Sequence, residues 1–96
     1  MKEQDLQRRL LTVLNKLPKT FAVNYSCSIE TGAGIPDVLA CIDGQFYGIE
    51  IKHGSKVGVH QETIGEIIRK AGGKWVVLKS NQAVTKFLKE VKEMVT

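Results

Sequence analysis

Leu6, Leu10, Val13, Leu14 and Leu17 recur at helical spacing after Glu3, which places one apolar stripe on a first helix that Pro18 closes. Phe21, Val23, Tyr25 and Cys27 then alternate with Ala22, Asn24 and Ser26, the period of two of a half-buried strand, until the glycines around Gly34 interrupt it. Two apolar segments, 37–42 and 45–52, flank Asp43-Gly44, the dipeptide of a tight two-residue hairpin turn. A glycine-containing basic loop, residues 53–59, leads to a helix from about Gln61 to Ala71 whose stripe is Ile64, Ile67, Ile68 and Ala71. Gly72-Gly73 ends it. Residues 74–79 read as a short buried strand. A last helix, capped by Ser80 or Asn81, carries Val84, Phe87, Leu88, Val91 and Val95 on one face. The order is αβββαβα, an α/β chain with one expected domain over residues 1–96.

Composition adds limits. The 96 residues carry 14 Lys and Arg against 10 Asp and Glu, a formal charge of +4. That mildly favours polyanionic partners. A chain this short builds only a modest core, so a partner subunit would help stability. No apolar run reaches the roughly 20 residues of a membrane span, so the expectation is an intracellular protein without a membrane partner. Cys27 and Cys41 are too few for a disulfide framework and lack zinc-ligand spacing. Both are expected as buried free thiols.

The hairpin carries the chemistry. A two-residue turn at Asp43-Gly44 opposes Ile42 to Gln45, and stepping outward sets Asp37 against Glu50. Lys52 points to the same face, which it shares with Phe46 and Gly48. Apolar flanks make the sheet look covered on both sides. Opposed carboxylates repel unless a proton or a cation lies between them. Hard oxygen ligands suit Mg²⁺ or Mn²⁺, which take one or two carboxylates and leave positions for water and phosphate. Beside such an ion, Lys52 would orient or deprotonate water, or stabilise charge on a phosphate, as phosphodiester hydrolysis requires. A plainer reading makes Asp37 a turn residue and Glu50 and Lys52 the wet face of an edge strand. A bulge in the hairpin would shift the register by one and part the two acids.

Pro36-Asp37, the hairpin and Glu50-Ile51-Lys52 resemble the signature of PD-(D/E)XK nucleases, and the sequence is most similar to the VRR-NUC branch. There an early helix with a Glu, a G-x-PD turn, an E-x-K strand and a Gln opening the next helix recur in that order. Here they resemble Glu3, Gly34-Ile35-Pro36-Asp37, Glu50-Ile51-Lys52 and Gln61. The resemblance spans roughly residues 3 to 79. It implies a restriction-endonuclease-like αβββαβ core with an added C-terminal helix, and a metal-dependent DNA endonuclease. It implies Asp37, Glu50 and the Ile51 carbonyl as ligands of Mg²⁺ or Mn²⁺, with Glu3 touching the ion directly or through water. It also implies Lys52 as the catalytic lysine and Gln61 beside water or phosphate. A homodimer acting on branched DNA such as four-way junctions follows from the same likeness, in the cytoplasm of a bacterial or phage-infected cell.

Other residues have two readings each. Ser55 and Lys56 suit a phosphate-contacting loop or a solvated one. Arg8 and Arg9 lie on the polar side of the first helix, tracking a DNA backbone or serving solubility. His53 and His60 are proton carriers or surface histidines. Trp75 reads as core, and no aromatic residues interleave with the basic ones as a stacking platform for single strands would require. Two rival functions stand beside the junction reading: a nuclease acting on linear or nicked duplex, and a noncatalytic nucleic-acid-binding module of the same fold.

Overall fold

A computed structural model describes residues 2–25 and 34–96. Seven elements follow one another: α1 (Glu3–Leu14), β1 (Thr20–Asn24), β2 (Val38–Ile42), β3 (Gln45–Ile51), α2 (Val59–Lys70), β4 (Lys74–Leu78) and α3 (Asn81–Val95). The strands form one sheet in the order β1-β2-β3-β4, antiparallel across the first three and parallel between β3 and β4. The crossover through α2 is what makes that last pair parallel.

Each boundary has a local cause. Asp43 and Gly44 take φ of 51° and 81°, the left-handed pair that a two-residue turn needs. No bulge interrupts the hairpin, since Val38 pairs with Ile49 and Ile42 with Gln45. The Ser80 hydroxyl accepts the Ala83 N–H at 3.0 Å and starts α3. Helix α2 begins two residues earlier than expected, capped at Gly58, because the Gln61 side chain reaches back to accept the Gly58 N–H at 2.8 Å. Helix α1 stops at Leu14 rather than Leu17, and the Asn15 amide pairs with both the N–H and the C=O of Ala22. Asn15 thereby occupies part of the free edge of β1.

One sheet face holds the core. Ala22, Val38, Ala40, Ile42, Tyr47, Ile49 and Ile51 pack beneath Leu6, Leu10 and Leu14 of α1 and the apolar stripe of α3. Arg9 ties these helices together, donating to the Asn81 side chain at 2.8 Å and to Thr85 at 2.9 Å. Among the described residues, the opposite face receives only α2, which lies over β3 and β4. Gly65 sits on the Trp75 ring, and Gly48 admits both Pro36 and Ile68.

Four expectations change. Strand β1 alternates as anticipated, but its buried member is Ala22, while Phe21 and Val23 face outward. Cys41 is exposed rather than buried, and Cys27 falls outside the described residues. Strand β4 is half-buried along most of its length, as an edge strand should be. Among the described residues the sheet is covered on both faces around β3 and β4, and α2 does not reach β1.

Candidate active site

Three segments meet at one end of the sheet. The turn before β2 is seated by Gly34, whose φ is +89° and where a Cβ would lie 2.5 Å from the His60 carbonyl. Only glycine lets this turn rest against the first residues of α2. Pro36 packs on Gly48, and Asp37 emerges beside β3 with its Oδ2 accepting the Ile51 N–H at 2.9 Å. An extended strand sends the Ile51 carbonyl to the same edge as its N–H, toward Asp37.

Glu50 is fully buried among the apolar residues of β3. Gln61 Nε2 donates to Glu50 Oε1 at 3.4 Å, and Oε2 has no hydrogen-bond partner. Burial pushes the Glu50 acid up to about 7, with the neighbouring Asp37 charge adding to the rise and the Lys52 charge opposing it. Two acids so placed share a proton or a cation. A hard divalent cation fits this donor set: an unpartnered buried carboxylate oxygen, a second carboxylate and a backbone carbonyl on the same strand edge.

The Glu3 carboxylate is held by the loop after β3. Its Oε1 accepts the His53 N–H at 2.9 Å and the Ser55 hydroxyl at 2.5 Å, which fastens the start of α1 to the loop after β3. The Ser55 bond, then the His53 N–H and the Lys52 charge, hold the Glu3 acid below its ordinary value against a small opposing effect of burial. Among the described residues no three His, Cys, Asp or Glu side chains gather as metal ligands. Lys52 lies within electrostatic reach of both Glu50 and Glu3.

The remaining residues separate. Ser55 is engaged with Glu3, and Lys56 stands exposed next to it. His53 and His60 contribute backbone groups to the assembly while the residues themselves remain exposed. Arg9 is committed to α3, a correction to its reading as a backbone-tracking residue, whereas Arg8 is exposed. Arg8 lines a cleft of about 560 Å³ that opens beside Asp37, together with Gln4, Gln7, Asn24 and Tyr25. Sequence reading passed over these four. The signals were present: Gln4, Gln7 and Arg8 share a helical stripe, and the β1–β2 register carries Tyr25 to Asp37, whose carbonyl accepts the Tyr25 N–H at 2.9 Å.

A solved structure described as a VRR_NUC domain superposes on this chain with a TM-score of 0.75 and 26% sequence identity, covering 91% of this chain and 94% of that one. The match supports a VRR-NUC nuclease-domain fold for this chain. No protein-family model matches the chain, and no curated protein does. Asp37, Glu50 and Gln61 meet at the end of the sheet where α2 begins. No helix among the described residues is long and apolar enough to cross a membrane.

Proposed function

We propose that this VRR-NUC domain is a divalent-metal-dependent DNA endonuclease, with Mg²⁺ or Mn²⁺ as the ion and branched DNA, such as a four-way junction, as the substrate of a homodimer. The observation that carries the reading is Glu50: a fully buried carboxylate, one oxygen unpartnered, set beside a second carboxylate. Without a cation that arrangement is a liability, and apolar residues would fill the same space at no electrostatic cost.

Asp37, Glu50 and the Ile51 carbonyl would hold the ion, which when bound supplies Lewis acidity for water and phosphate. The residues around it do the positioning. The Ile51 N–H fixes Asp37 Oδ2. Gln61 steadies Glu50 while its own side chain is anchored on the Gly58 N–H. Lys52 supplies a point charge for the phosphate and a group able to relay the proton lost by the attacking water. Hydrolysis forms one bond from water oxygen to phosphorus and breaks one phosphorus–oxygen ester bond, leaving a phosphate and a hydroxyl end. The basic charge of the chain and the Arg8 cleft favour a polyanion next to Asp37.

The test compares cleavage of a labelled four-way junction and a matched linear duplex in Mg²⁺, Mn²⁺ and EDTA. Wild type should cut the junction only with metal. Asp37→Ala should lose at least about 100-fold in rate while still binding DNA. Equal cutting of the linear duplex would reassign the substrate. Folded wild-type protein that binds but never cuts would make this a noncatalytic module.

A further inference from the structure

The cleft beside Asp37 has walls from two elements. Helix α1 supplies Gln7, Arg8 and Leu11, and the end of β1 with the residue after it supplies Asn24 and Tyr25. The Gln7 side-chain amide donates to Asn24 Oδ1 across the two walls, joining residues 17 apart in the chain. That bond orients both amides. Gln7 keeps its carbonyl oxygen as an acceptor, and Asn24 keeps its amino group as a donor beside it. Asn24 is exposed and Gln7 half-buried, so the bond adds little to stability, because water would satisfy either group nearly as well. What it does produce is a fixed acceptor–donor pair on the cleft wall. The Tyr25 N–H donates to the Asp37 carbonyl at 2.9 Å, which ties this wall to the acidic site.

We infer that the cleft seats a nucleobase of the bound DNA, and that the Gln7–Asn24 pair selects adenine close to the phosphate that is cut. The inference rests on the nuclease reading for the identity of the polymer and adds a base preference to it.

Hydrogen-bond complementarity picks the base. In the major groove adenine presents an acceptor, N7, beside a donor, the N6 amino group; guanine presents two acceptors, cytosine a donor, and thymine an acceptor and a methyl group. Asn24 Nδ2 donates to N7 while Gln7 Oε1 accepts from the amino group. These are the two bonds that a single Asn or Gln amide makes with adenine, here divided between two residues. Guanine would bring its O6 against the Gln7 carbonyl, acceptor against acceptor. Watson–Crick pairing leaves the N7–N6 edge uncovered, so paired and unpaired adenine meet the same pair.

The rest of the lining suits a base as well. Among the described residues Arg8 is the one cation lining the cleft, enough for one phosphate. Leu11 and Tyr25 give the apolar surface that a base plane can use and a phosphate cannot. The volume of about 560 Å³ lies within the roughly 300–1,000 Å³ of sites that take small organic groups. Because Tyr25 is bonded to Asp37, the selected base and the cut phosphate keep a fixed spacing. The preference therefore shows in the position of the cut as well as in affinity.

The experiment measures binding of four-way junctions in EDTA by fluorescence anisotropy and maps cleavage in Mn²⁺. Each nucleotide around the branch is made adenine, guanine, cytosine or thymine in turn, with its partner changed to match. At the preferred position adenine is then replaced by 7-deazaadenine, which lacks N7, or by purine, which lacks the amino group. Wild type should bind adenine at one position at least about fivefold more tightly than any other base, and each analogue should lose most of that gain. Asn24→Ala should erase the penalty for 7-deazaadenine, and Gln7→Leu the penalty for both analogues, with the wild-type circular dichroism spectrum retained. The analogues probe wild type alone, so the outcome does not hang on how the variants fold. Equal affinity for all four bases at every position overturns the inference, as does a preference for another base or an analogue penalty that survives both variants. Cutting without base preference would sink this inference and spare the nuclease; an adenine preference in binding by a protein that never cuts would do the reverse.

Discussion

Glu50 concentrates the energetic cost of the site in one side chain. Its acid lies at about 7 in the fold against an ordinary 4.5, so between these values the folded chain holds a proton that the unfolded chain has released. The Glu50 contribution to stability in EDTA is therefore fully present below pH 4.5, falls as pH rises to about 7, and levels off above, a loss of roughly 3 kcal/mol. Glu50→Gln should flatten the fall in melting temperature between pH 5 and 8 and melt above wild type at pH 8. Mn²⁺ should raise the wild-type melting temperature at pH 8 and leave the variant nearly unmoved. An unchanged pH slope in Glu50→Gln would show that another group titrates. Glu3 works in the opposite sense and in a separate window: its acid is lowered, so its contribution is present above its ordinary value of 4.5 and is lost as pH falls below it. The Asp37–Glu50 pair was legible in the sequence because a two-residue turn sets every opposed pair beyond it. The role of Glu3 was not, since its bonds to His53 and Ser55 exist only once α1 docks against a loop about fifty residues away.

Helix α2 carries Gln61 to the site, and its seating on β4 decides where Gln61 arrives. A Cβ at Gly65 would lie 2.2 Å from the Trp75 ring, which the Arg69 guanidinium covers from 5.0 Å. In an isolated helix, Ala in place of Gly gains about 1 kcal/mol. Here the overlap costs more than that, because the aromatic ring is held between helix and strand. Gly65→Ala should lower stability by roughly 1–2 kcal/mol in denaturant melts and weaken the Mn²⁺-induced rise in melting temperature by shifting Gln61 from Glu50. A stabilised variant would mean that α2 slides freely on the sheet. The elements themselves were readable from periodicity, down to the Ser80 cap and the Asp43-Gly44 turn. The orientation of β1 was not. A period of two groups Phe21 with Val23 and Ala22 with its alternates, but which group is buried depends on which helices settle on which face. Helices α1 and α3 took the Ala22 face, and α2 stopped short of the Phe21 face. Cys41 is exposed for the same reason.

At the scale of the whole molecule, two adjacent arginines on α1 have been divided between stability and surface. Arg9 joins α1 to α3 through Asn81 and Thr85, while Arg8 faces the cleft beside Asp37. A cation that meets one DNA phosphate releases about one counterion, so its removal lowers the slope of log binding constant against log salt by about 0.9. Measured on four-way junction DNA in EDTA, Arg8→Ala should bind a few-fold more weakly at moderate salt, with a slope reduced by about one and an unchanged melting temperature. Arg9→Ala should do the reverse: it leaves the half-buried Asn81 side chain and the exposed Thr85 hydroxyl without their donor, so it melts lower by an amount matching about 1 kcal/mol, while the salt slope stays at its wild-type value. The contrast separates a DNA path along α1 from a general attraction to a +4 protein, which would respond alike to the loss of either charge. Identical slopes in the two variants would move the DNA off this cleft, and the exposed loop around Lys56 would then be the surface next to the acids that meets phosphate.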